Sequence, residues 1–485
     1  MWISGSPGVG KSAVASTLVT NLTERRRLAA YFFFRRDEAN LGDPATLWRT
    51  VAYDLARFHP PVKFAMAEFL KRPGFRDSDI LLHFRCLIED ILKKFSDDLS
   101  ETPPVIVIDA LDECGIDDSN SPQRRILLDT LNHWSDIPRS FKLIVTSRND
   151  RIPESFHDPQ ICYKVVLETG DSVTNEAKVD IRHFVEHWLK SIRPAFGLPF
   201  TWPGERAMDQ LVERAAGLFI WAKTAMEFIG EKWGDPDDKL KLVLAGNLGE
   251  HSKNIDKLYQ DILQFSFADA NKSTLALFKD VVGAIIVAKV PLHRDDLKYL
   301  PDELDDKSNR QLSSILYHLS SVIDFVGTLR IRHLSFAEFM CDPNRCCDRR
   351  FVIDPRKQHL DLALASLRVM TTELRFNICG LESSYFRNDD VEDLQSRISV
   401  SIPTHLAYSC RFWADHLSSL TVTDKNTLQL LLEGTRTLFY VNLLYWLEAM
   451  SLLKAIPASN TALVTASKWL RVSFIIILWK IYVFI

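Results

Sequence analysis

This sequence contains few cysteines and only a small excess of one sign of charge. The eight cysteines among 485 residues include no CxxC pair, and a chain of this length can hold a core without disulfides. Reduced thiols are therefore expected. The net charge is only −4 at pH 7, which provides no positive field to attract nucleic acid or an anionic membrane. Nucleic-acid binding is accordingly not expected.

Long apolar runs are also missing until the end of the chain. The final stretch, VSFIIILWKIYVFI, contains Lys480 and is shorter than the roughly 20 residues that a membrane-spanning helix needs. A packed terminal strand or a misread intron is the preferred explanation for residues 466–485. The third explanation is a membrane anchor with Lys468 and Arg471 as flanking charges. The first residues, MWISGSPGVGKS, lack the basic and apolar segments of a signal peptide, so a cytoplasmic location is expected.

The sequence shows no internal repeat and no low-complexity tract. Hydrophobic residues make up 46% and charged residues 25% of the chain, close to the averages for soluble globular proteins. At roughly 100 to 200 residues per domain, the length predicts about three folded units.

Short apolar runs alternate with amphipathic stretches in the first part of the chain, which is typical of parallel strands joined by crossover helices. Helical spacing of apolar residues appears between the runs, as in DILLHFRCLIEDILKKF at residues 79–95. After about residue 174 helical patterns dominate. The sequence thus predicts an α/β parallel-sheet domain followed by mainly helical domains. The predicted strands are Trp2–Ser4, Leu28–Phe34, Val105–Asp109, Leu143–Thr146 and Tyr163–Leu167.

One segment of the helical part, VIDFVGTLRIRHLSF at residues 322–336, has a different pattern. Two alternating apolar runs flank Gly327, as in a β-hairpin, and a helical pattern follows directly. Helices followed by a hairpin and a further helix suggest a winged-helix module.

Residues 5–12 satisfy the pattern GxxxxGK[ST] between a predicted strand and the helical stretch AVASTLVTNL. Glycines let such a loop bend so that backbone N–H groups face phosphate oxygens without interference from Cβ atoms. Lys11 is predicted to reach the β- and γ-phosphates, and Ser12 to ligate Mg²⁺. The sequence therefore predicts a P-loop NTPase. Its predicted nucleotide-binding residues are Gly5, Ser6, Pro7, Gly8, Val9, Gly10, Lys11 and Ser12.

Charged side chains follow two further apolar strands, in PPVIVIDALDEC and FKLIVTSRND. Asp109 is predicted to hold Mg²⁺ through water, and Asp112 and Glu113 to orient or deprotonate the attacking water. Arg148 is predicted to contact the γ-phosphate and to stabilise the charge that develops during transfer. The structural alternatives are a turn-capping aspartate and a surface arginine.

These residues resemble the Walker A, Walker B and sensor motifs of NACHT domains, in the STAND class of signal-transduction ATPases. Further stretches resemble the fungal NACHT proteins with nephrocystin-type N-terminal NTPase domains. They are AAYFFFRRDEANLGDPATLWRTVAYDLA, GLFIWAKTAMEFI, VVGAIIVAKVPLHRDDL, IRHLSFAEFMCDPNRC and YSCRFWADHLSSL. The domains that the resemblance implies are a nucleotide-binding core (1–170), a helical domain (171–268), a winged-helix domain (269–350), a C-terminal helical domain (351–465) and the hydrophobic tail (466–485).

The resemblance implies an ADP/ATP-controlled conformational switch with weak ATPase activity, in innate immune or non-self recognition signalling. It implies that His333 contacts the β-phosphate of ADP, and that self-association or protein partners follow activation. Gly217-Leu218-Phe219 stands where related switches place an adenine contact, here without its usual proline. The adenine-contacting segment usually upstream of the first strand is not among these residues. The rival hypothesis is a non-enzymatic nucleotide-binding scaffold.

His183 and His187 lie in an HxxEH pattern, which in some peptidases binds zinc. Ile181, Val185 and Leu189 form an apolar stripe beside them. The sequence therefore favours two histidines on the polar face of a core helix.

Overall fold

The computed structural model describes residues 1–36, 38–71, 79–97, 103–115, 122–138, 141–149, 152–245, 254–299, 306–383, 385, 387–421 and 424–483. The chain divides into two units, unit 1 at Met1–Leu258 and unit 2 at Tyr259–Ile485. The finer domain boundaries remain predictions.

Unit 1 contains a parallel sheet of five strands, in the order β2-β3-β4-β1-β5. All four strand pairs are parallel. The predicted α/β fold and all five predicted strands are therefore confirmed. The strands are β1 (Trp2–Gly5), β2 (Leu28–Phe33), β3 (Val105–Asp109), β4 (Lys142–Ser147) and β5 (Lys164–Leu167).

Strand β3, an interior strand of the sheet, shows why the strand segments are unbroken apolar runs in the sequence. Ile106 and Ile108 belong to the core on one face of the sheet, whereas Val105 and Val107 belong to the core on the other. Side chains alternate between the faces of a strand, so a sheet covered on both faces selects apolar residues at every position.

Helices of unit 1 pack on both faces of this sheet, and further helices follow the last strand, β5. The predicted helix at residues 79–95 is present and contains a π-helical turn, Arg85–Glu89, between α5 and α6. The helices are α1 (Lys11–Glu24), α2 (Ala39–Gly42), α3 (Thr46–Phe58), α4 (Pro60–Leu70), α5 (Ile80–Phe84), α6 (Asp90–Lys94), α7 (Pro122–Asn132), α8 (Asn175–Ala195), α9 (Glu205–Ala215), α10 (Phe219–Gly230) and α11 (Pro236–Leu244).

Unit 2 is mainly helical, as predicted. Helix α12 begins before the boundary of the two units and ends within unit 2. The helices are α12 (Asn254–Ser266), α13 (Lys272–Val287), α14 (Asp306–His318), α15 (Leu334–Cys341), α16 (Pro355–Glu373), α17 (Leu394–Ser401), α18 (Thr404–Ser418), α19 (Lys425–Thr437), α20 (Leu443–Leu452) and α21 (Ile456–Val483).

A small antiparallel sheet contains the predicted hairpin of unit 2. Strands β7 (Ile323–Asp324) and β8 (Thr328–Ile331) pair antiparallel, and β6 (Leu292–His293) pairs with the other edge of β8. Gly327 in the turn has φ 82°, a left-handed conformation that glycine adopts without a Cβ penalty. The hairpin is therefore confirmed and α15 follows it, whereas the winged-helix identity of this region stays a prediction.

The end of the chain is helical and not a strand. Helix α21 continues to Val483, and Trp469 in this helix donates its indole N–H to the carbonyl of Leu420 at 3.0 Å. The expectation of a terminal strand was wrong because a short apolar run does not by itself distinguish a buried strand from a buried helix. Among the described residues, no helix has the length and apolar character needed to cross a membrane.

A histidine pair, of which His416 is buried and His359 is half-buried, connects α16 and α18 in unit 2. Nδ1 of His416 is 2.9 Å from Nδ1 of His359, and its Nε2 is 2.7 Å from the hydroxyl of Tyr408. That hydroxyl accepts the backbone N–H of Lys289 at 3.3 Å. Burial lowers the pKa of His416 well below its usual range, and the charges of His359 and Lys289 add to the effect.

We expect His416 to destabilise unit 2 as the pH falls below about 6.5. The pKa of His416 is lower in the folded chain, so the unfolded chain binds the proton more readily and stability decreases toward the folded-state pKa. The melting temperature of wild type should fall between pH 7.5 and 5.5 by at least about 3 °C more than that of His416→Gln. His183→Gln, at an exposed position, is the control. An equal fall in wild type and His416→Gln contradicts the assignment.

Candidate nucleotide-binding site

The phosphate-loop sequence forms a tight turn between β1 and α1. Gly8 and Gly10 have φ values of 79° and 99°, in the left-handed region that favours glycine. A Cβ on Gly5 would lie 2.9 Å from Cγ1 of Val9 and 3.0 Å from the carbonyl oxygen of Leu167. The three glycines are thus required by backbone conformation at two positions and by close packing at the third.

Lys11 lies at the start of α1 and folds back over the loop. Its ammonium group donates to the carbonyl oxygens of Gly5 at 2.8 Å and Ser6 at 3.0 Å. A cation is thereby held beside the loop, at the position where the sequence predicts contact with phosphate.

The charged residues predicted from three separate strands form one electrostatic cluster. Burial lowers the pKa of Lys11, while the negative charges of Asp112, Asp109 and Glu113 oppose this and the positive charge of Arg148 adds to it. All four residues therefore act on the same ammonium group. The structure brings together every predicted charged residue of unit 1.

Asp109 is buried at the end of β3 and is bonded to two hydroxyl groups. Thr146 Oγ1 donates to Asp109 Oδ1 at 2.5 Å, and the side chain of Ser12 also hydrogen-bonds this carboxylate. Burial raises the pKa of Asp109, and these two hydrogen bonds oppose the rise. The predicted metal residues Ser12 and Asp109 are thus direct neighbours.

Asp112 and Arg148 form an ion pair. Arg148 Nε lies 3.0 Å from Asp112 Oδ2, and the backbone N–H of Arg148 donates to Asp112 Oδ1 at 3.2 Å. Both side chains are largely buried, with 22% of Arg148 and 11% of Asp112 exposed. This geometry fits a carboxylate that orients the arginine. The predicted action of Asp112 on water remains a prediction.

Glu113 follows in the same 3₁₀ turn, Leu111–Glu113. Its Oε2 accepts the backbone N–H of Arg36 at 3.4 Å, and its charge acts on Lys11. Glu113 therefore belongs to the same cluster as Asp112, and its predicted action on water remains a prediction.

The start of α10 packs directly on the phosphate loop. The backbone N–H of Ile220 donates to the carbonyl of Gly8 at 3.0 Å, and a Cβ on Gly8 would lie 1.9 Å from Cγ2 of Ile220. A Cβ on Gly10 would lie 3.5 Å from Cδ2 of Phe219. The segment that resembles an adenine contact therefore lies at the loop, whereas base contact itself stays a prediction.

His333 lies in unit 2 and caps α15. Its Nδ1 accepts the backbone N–H of Ser335 at 3.1 Å, and the hydroxyl of Ser335 is 2.9 Å from that of Tyr259. Since Nδ1 is an acceptor, a neutral His333 carries its proton on Nε2. Its predicted contact with ADP stays a prediction.

The HxxEH helix, α8, presents its two histidines outward. Ile181, Val185 and Leu189 are buried, whereas His183 and His187 are exposed. The predicted division of this helix into an apolar stripe and a polar face is confirmed.

The donor set at the carboxyl edge of the sheet fits a magnesium–nucleotide complex. Ser12 and Asp109 provide the hydroxyl and carboxylate oxygens that Mg²⁺ prefers. Lys11 provides a cation, and the left-handed conformations of Gly8 and Gly10 are those in which successive N–H groups form an anion-binding concavity.

The sequence analysis did not identify two residues of this site, Thr146 and Ile220. Thr146 was recognised only as a strand end, although a hydroxyl residue closing an apolar strand beside β3 was a usable signal. Ile220 is far from the loop in sequence, and no local pattern pairs it with Gly8. Pairings of this kind depend on the tertiary fold.

A family of known proteins and one curated protein are similar to this chain. The family described as nephrocystin 3, N-terminal, matches residues 1–148, which contain the loop, the three carboxylates Asp109, Asp112 and Glu113, and Arg148. The vegetative incompatibility protein HET-E-1 of Podospora anserina is 24% identical over 492 residues, covering 96% of this chain and 34% of that protein. The chain thus spans about a third of the length of this relative. Both matches support the NACHT-type resemblance that the motifs indicate, and the first of them places a nephrocystin-type match over the N-terminal part of the chain.

Proposed function

We propose that this chain is an ATP-binding switch that hydrolyses ATP slowly and differs in conformation between its ADP and ATP states. The observation that carries the proposal is the electrostatic cluster around Lys11, because phosphoryl transfer depends chiefly on positioning and charge stabilisation. Carbonyl groups hold Lys11 in the structure, and phosphate oxygens are stronger acceptors for an ammonium group.

The side chains around the cluster have distinct proposed tasks. Ser12 and Asp109 would hold Mg²⁺, which when bound neutralises charge on phosphate oxygens. Glu113 would accept a proton from the attacking water. Arg148, oriented by Asp112 through the 3.0 Å ion pair, would stabilise the charge that develops in transfer.

The proposed switch extends to unit 2 through His333. With ADP bound, the Nε2 proton of His333 would contact the β-phosphate and hold the chain closed. ATP would release this contact and allow self-association or binding of a protein partner. HET-E-1 is a vegetative incompatibility protein, and by this likeness we extend the proposal to innate immune or non-self recognition signalling.

The first test is to denature the purified chain and identify any released nucleotide by chromatography. Stoichiometric ADP is the expected result. A chain that carries no nucleotide and also fails to bind added ATP with Mg²⁺ contradicts the proposal. Nucleotide that raises the melting temperature without any turnover identifies the rival, a non-enzymatic scaffold, because a ligand of the native state stabilises by mass action.

Glu113→Gln is expected to bind ATP as wild type does and to hydrolyse it about 10²- to 10⁴-fold more slowly, the usual contribution of a general base. Asp112→Asn should also retain binding and lose turnover, because Arg148 loses its anionic partner. Single-turnover hydrolysis and equilibrium binding separate the two effects. Glu89→Gln, which removes a carboxylate paired with Lys93 on the surface, is the control. Unchanged turnover in Glu113→Gln excludes it as the base.

A further inference from the structure

The hydroxyl of Thr146 bridges two consecutive residues at the end of β3. It donates to Asp109 Oδ1 at 2.5 Å and accepts the backbone N–H of Ala110 at 2.9 Å. Thr146 is fully buried and Asp109 is 2% exposed. Water therefore has little access to replace either hydrogen bond.

The position of Thr146 follows from the strand order. Strand β4 lies between β1, which leads into the phosphate loop, and β3, which ends at Asp109. A side chain at the end of β4 is therefore the natural bridge between the loop and the carboxylate. Ala110 has φ 55°, a left-handed conformation that is unfavourable for a residue other than glycine. The hydrogen bond from Ala110 to Thr146 stabilises this turn of the chain.

We infer that Thr146 is the positioning residue for the Mg²⁺ ligand set, holding the Asp109 carboxylate toward Ser12. This inference rests on the proposed function, because it concerns the metal that accompanies the nucleotide. Thr146 itself contacts neither metal nor nucleotide in this scheme. Its effect is on metal affinity, since the hydrogen-bond partner of a ligand fixes the orientation of that ligand.

The neighbouring hydroxyl supplies a matched comparison. Ser147 is also fully buried; its Oγ accepts the indole N–H of Trp2 at 2.8 Å and donates to the carbonyl of Arg148 at 2.8 Å. Ser147→Ala therefore removes a buried hydroxyl with two hydrogen bonds, as Thr146→Val does, and spares the bond to Asp109.

The experiment measures binding of a fluorescent, non-hydrolysable ATP analogue by the full chain, first with a chelator and then across a Mg²⁺ titration. Thr146→Val should need about 10- to 100-fold more Mg²⁺ to reach half of the Mg²⁺-dependent change in analogue affinity. Removal of the hydrogen-bond partner of a metal ligand usually weakens metal affinity by this factor. The affinity of this variant in chelator should equal that of wild type. Thr146→Ser, which keeps the hydroxyl, and Ser147→Ala should titrate as wild type does.

Three results overturn the inference. They are a wild-type Mg²⁺ titration in Thr146→Val, an equal shift in Ser147→Ala, and an equal loss of affinity with and without metal. If Thr146→Val does not melt cooperatively, Thr146→Ala supplies the same test, because alanine is smaller and makes no side-chain hydrogen bond. Failure of the proposed function is distinct, since Mg²⁺ would then have no effect on wild type or on Asp109→Asn.

Discussion

Lys11→Ala is expected to bind ATP and ADP at least about 100-fold more weakly than wild type. The substitution would remove the contacts of the lysine with two phosphates, and hydrogen bonds to charged groups contribute about 1.5–3 kcal/mol each. The structure supports this role, because Lys11 lies at the centre of the charged cluster and bonds to the loop carbonyls of Gly5 and Ser6. Equilibrium binding of a fluorescent nucleotide, with hydrolysis measured in parallel, checks the prediction.

The same substitution removes two hydrogen bonds of the loop, so a control for folding is required. Lys11→Met keeps much of the apolar stem of the side chain and lacks the charge, and it should lose binding as Lys11→Ala does. Lys142→Ala removes an exposed lysine at the opposite end of β4 and should behave as wild type. Normal turnover in both Lys11 variants is incompatible with the proposed switch.

Gly8→Ala is expected to destabilise unit 1 by about 2–5 kcal/mol and to lose nucleotide binding. A residue with a Cβ pays about 1–2 kcal/mol for the left-handed φ of 79°. The new Cβ would lie 1.9 Å from Cγ2 and 2.6 Å from Cβ of Ile220, and overpacking of this kind costs about 1–3 kcal/mol. Either the loop or the first turn of α10 must move. Chemical denaturation measures the free energy of unfolding.

Gly10→Ala is the matched control for the steric part. Its φ of 99° imposes a comparable backbone strain, but its Cβ would meet only Cδ2 of Phe219 at 3.5 Å, an ordinary contact. Gly8→Ala should therefore be the less stable variant. Adding Ile220→Ala to Gly8→Ala should recover part of the loss. Equal destabilisation of the two glycine variants contradicts the packing of Ile220 on the loop.

The sheet and most of its functional edge were predictable from the sequence. A strand buried on both faces leaves a run such as VIVID, in which every residue is apolar until the carboxylate. Parallel strands present their carboxyl ends at one edge, so residues following β1, β3 and β4 are expected to meet. For this reason the sequence alone predicts that Lys11, Asp109 and Arg148 belong to one site.

The remaining features depend on tertiary contacts that no local pattern encodes. The ion pair of Asp112 with Arg148 joins side chains that follow two different strands, and no local pattern pairs them. The hydrogen bond from Thr146 to Asp109 requires the register of neighbouring strands. The prediction of a terminal strand within residues 466–485 was wrong for a different reason. An apolar run without alternating polar residues has no periodicity that would indicate a helix.

The packing of Ile220 on Gly8 bears on how much of the chain makes a complete nucleotide site. Residues 1–148, which match the nephrocystin 3 family, contain the phosphate loop, the three carboxylates and Arg148 but lack the segment that lies against the loop. On the ribosome, the loop is translated long before α10, so its environment is completed only after the helices of unit 1 have emerged. If the chain binds nucleotide as proposed, a fragment that does so is therefore expected to need α10, which lies within unit 1, Met1–Leu258.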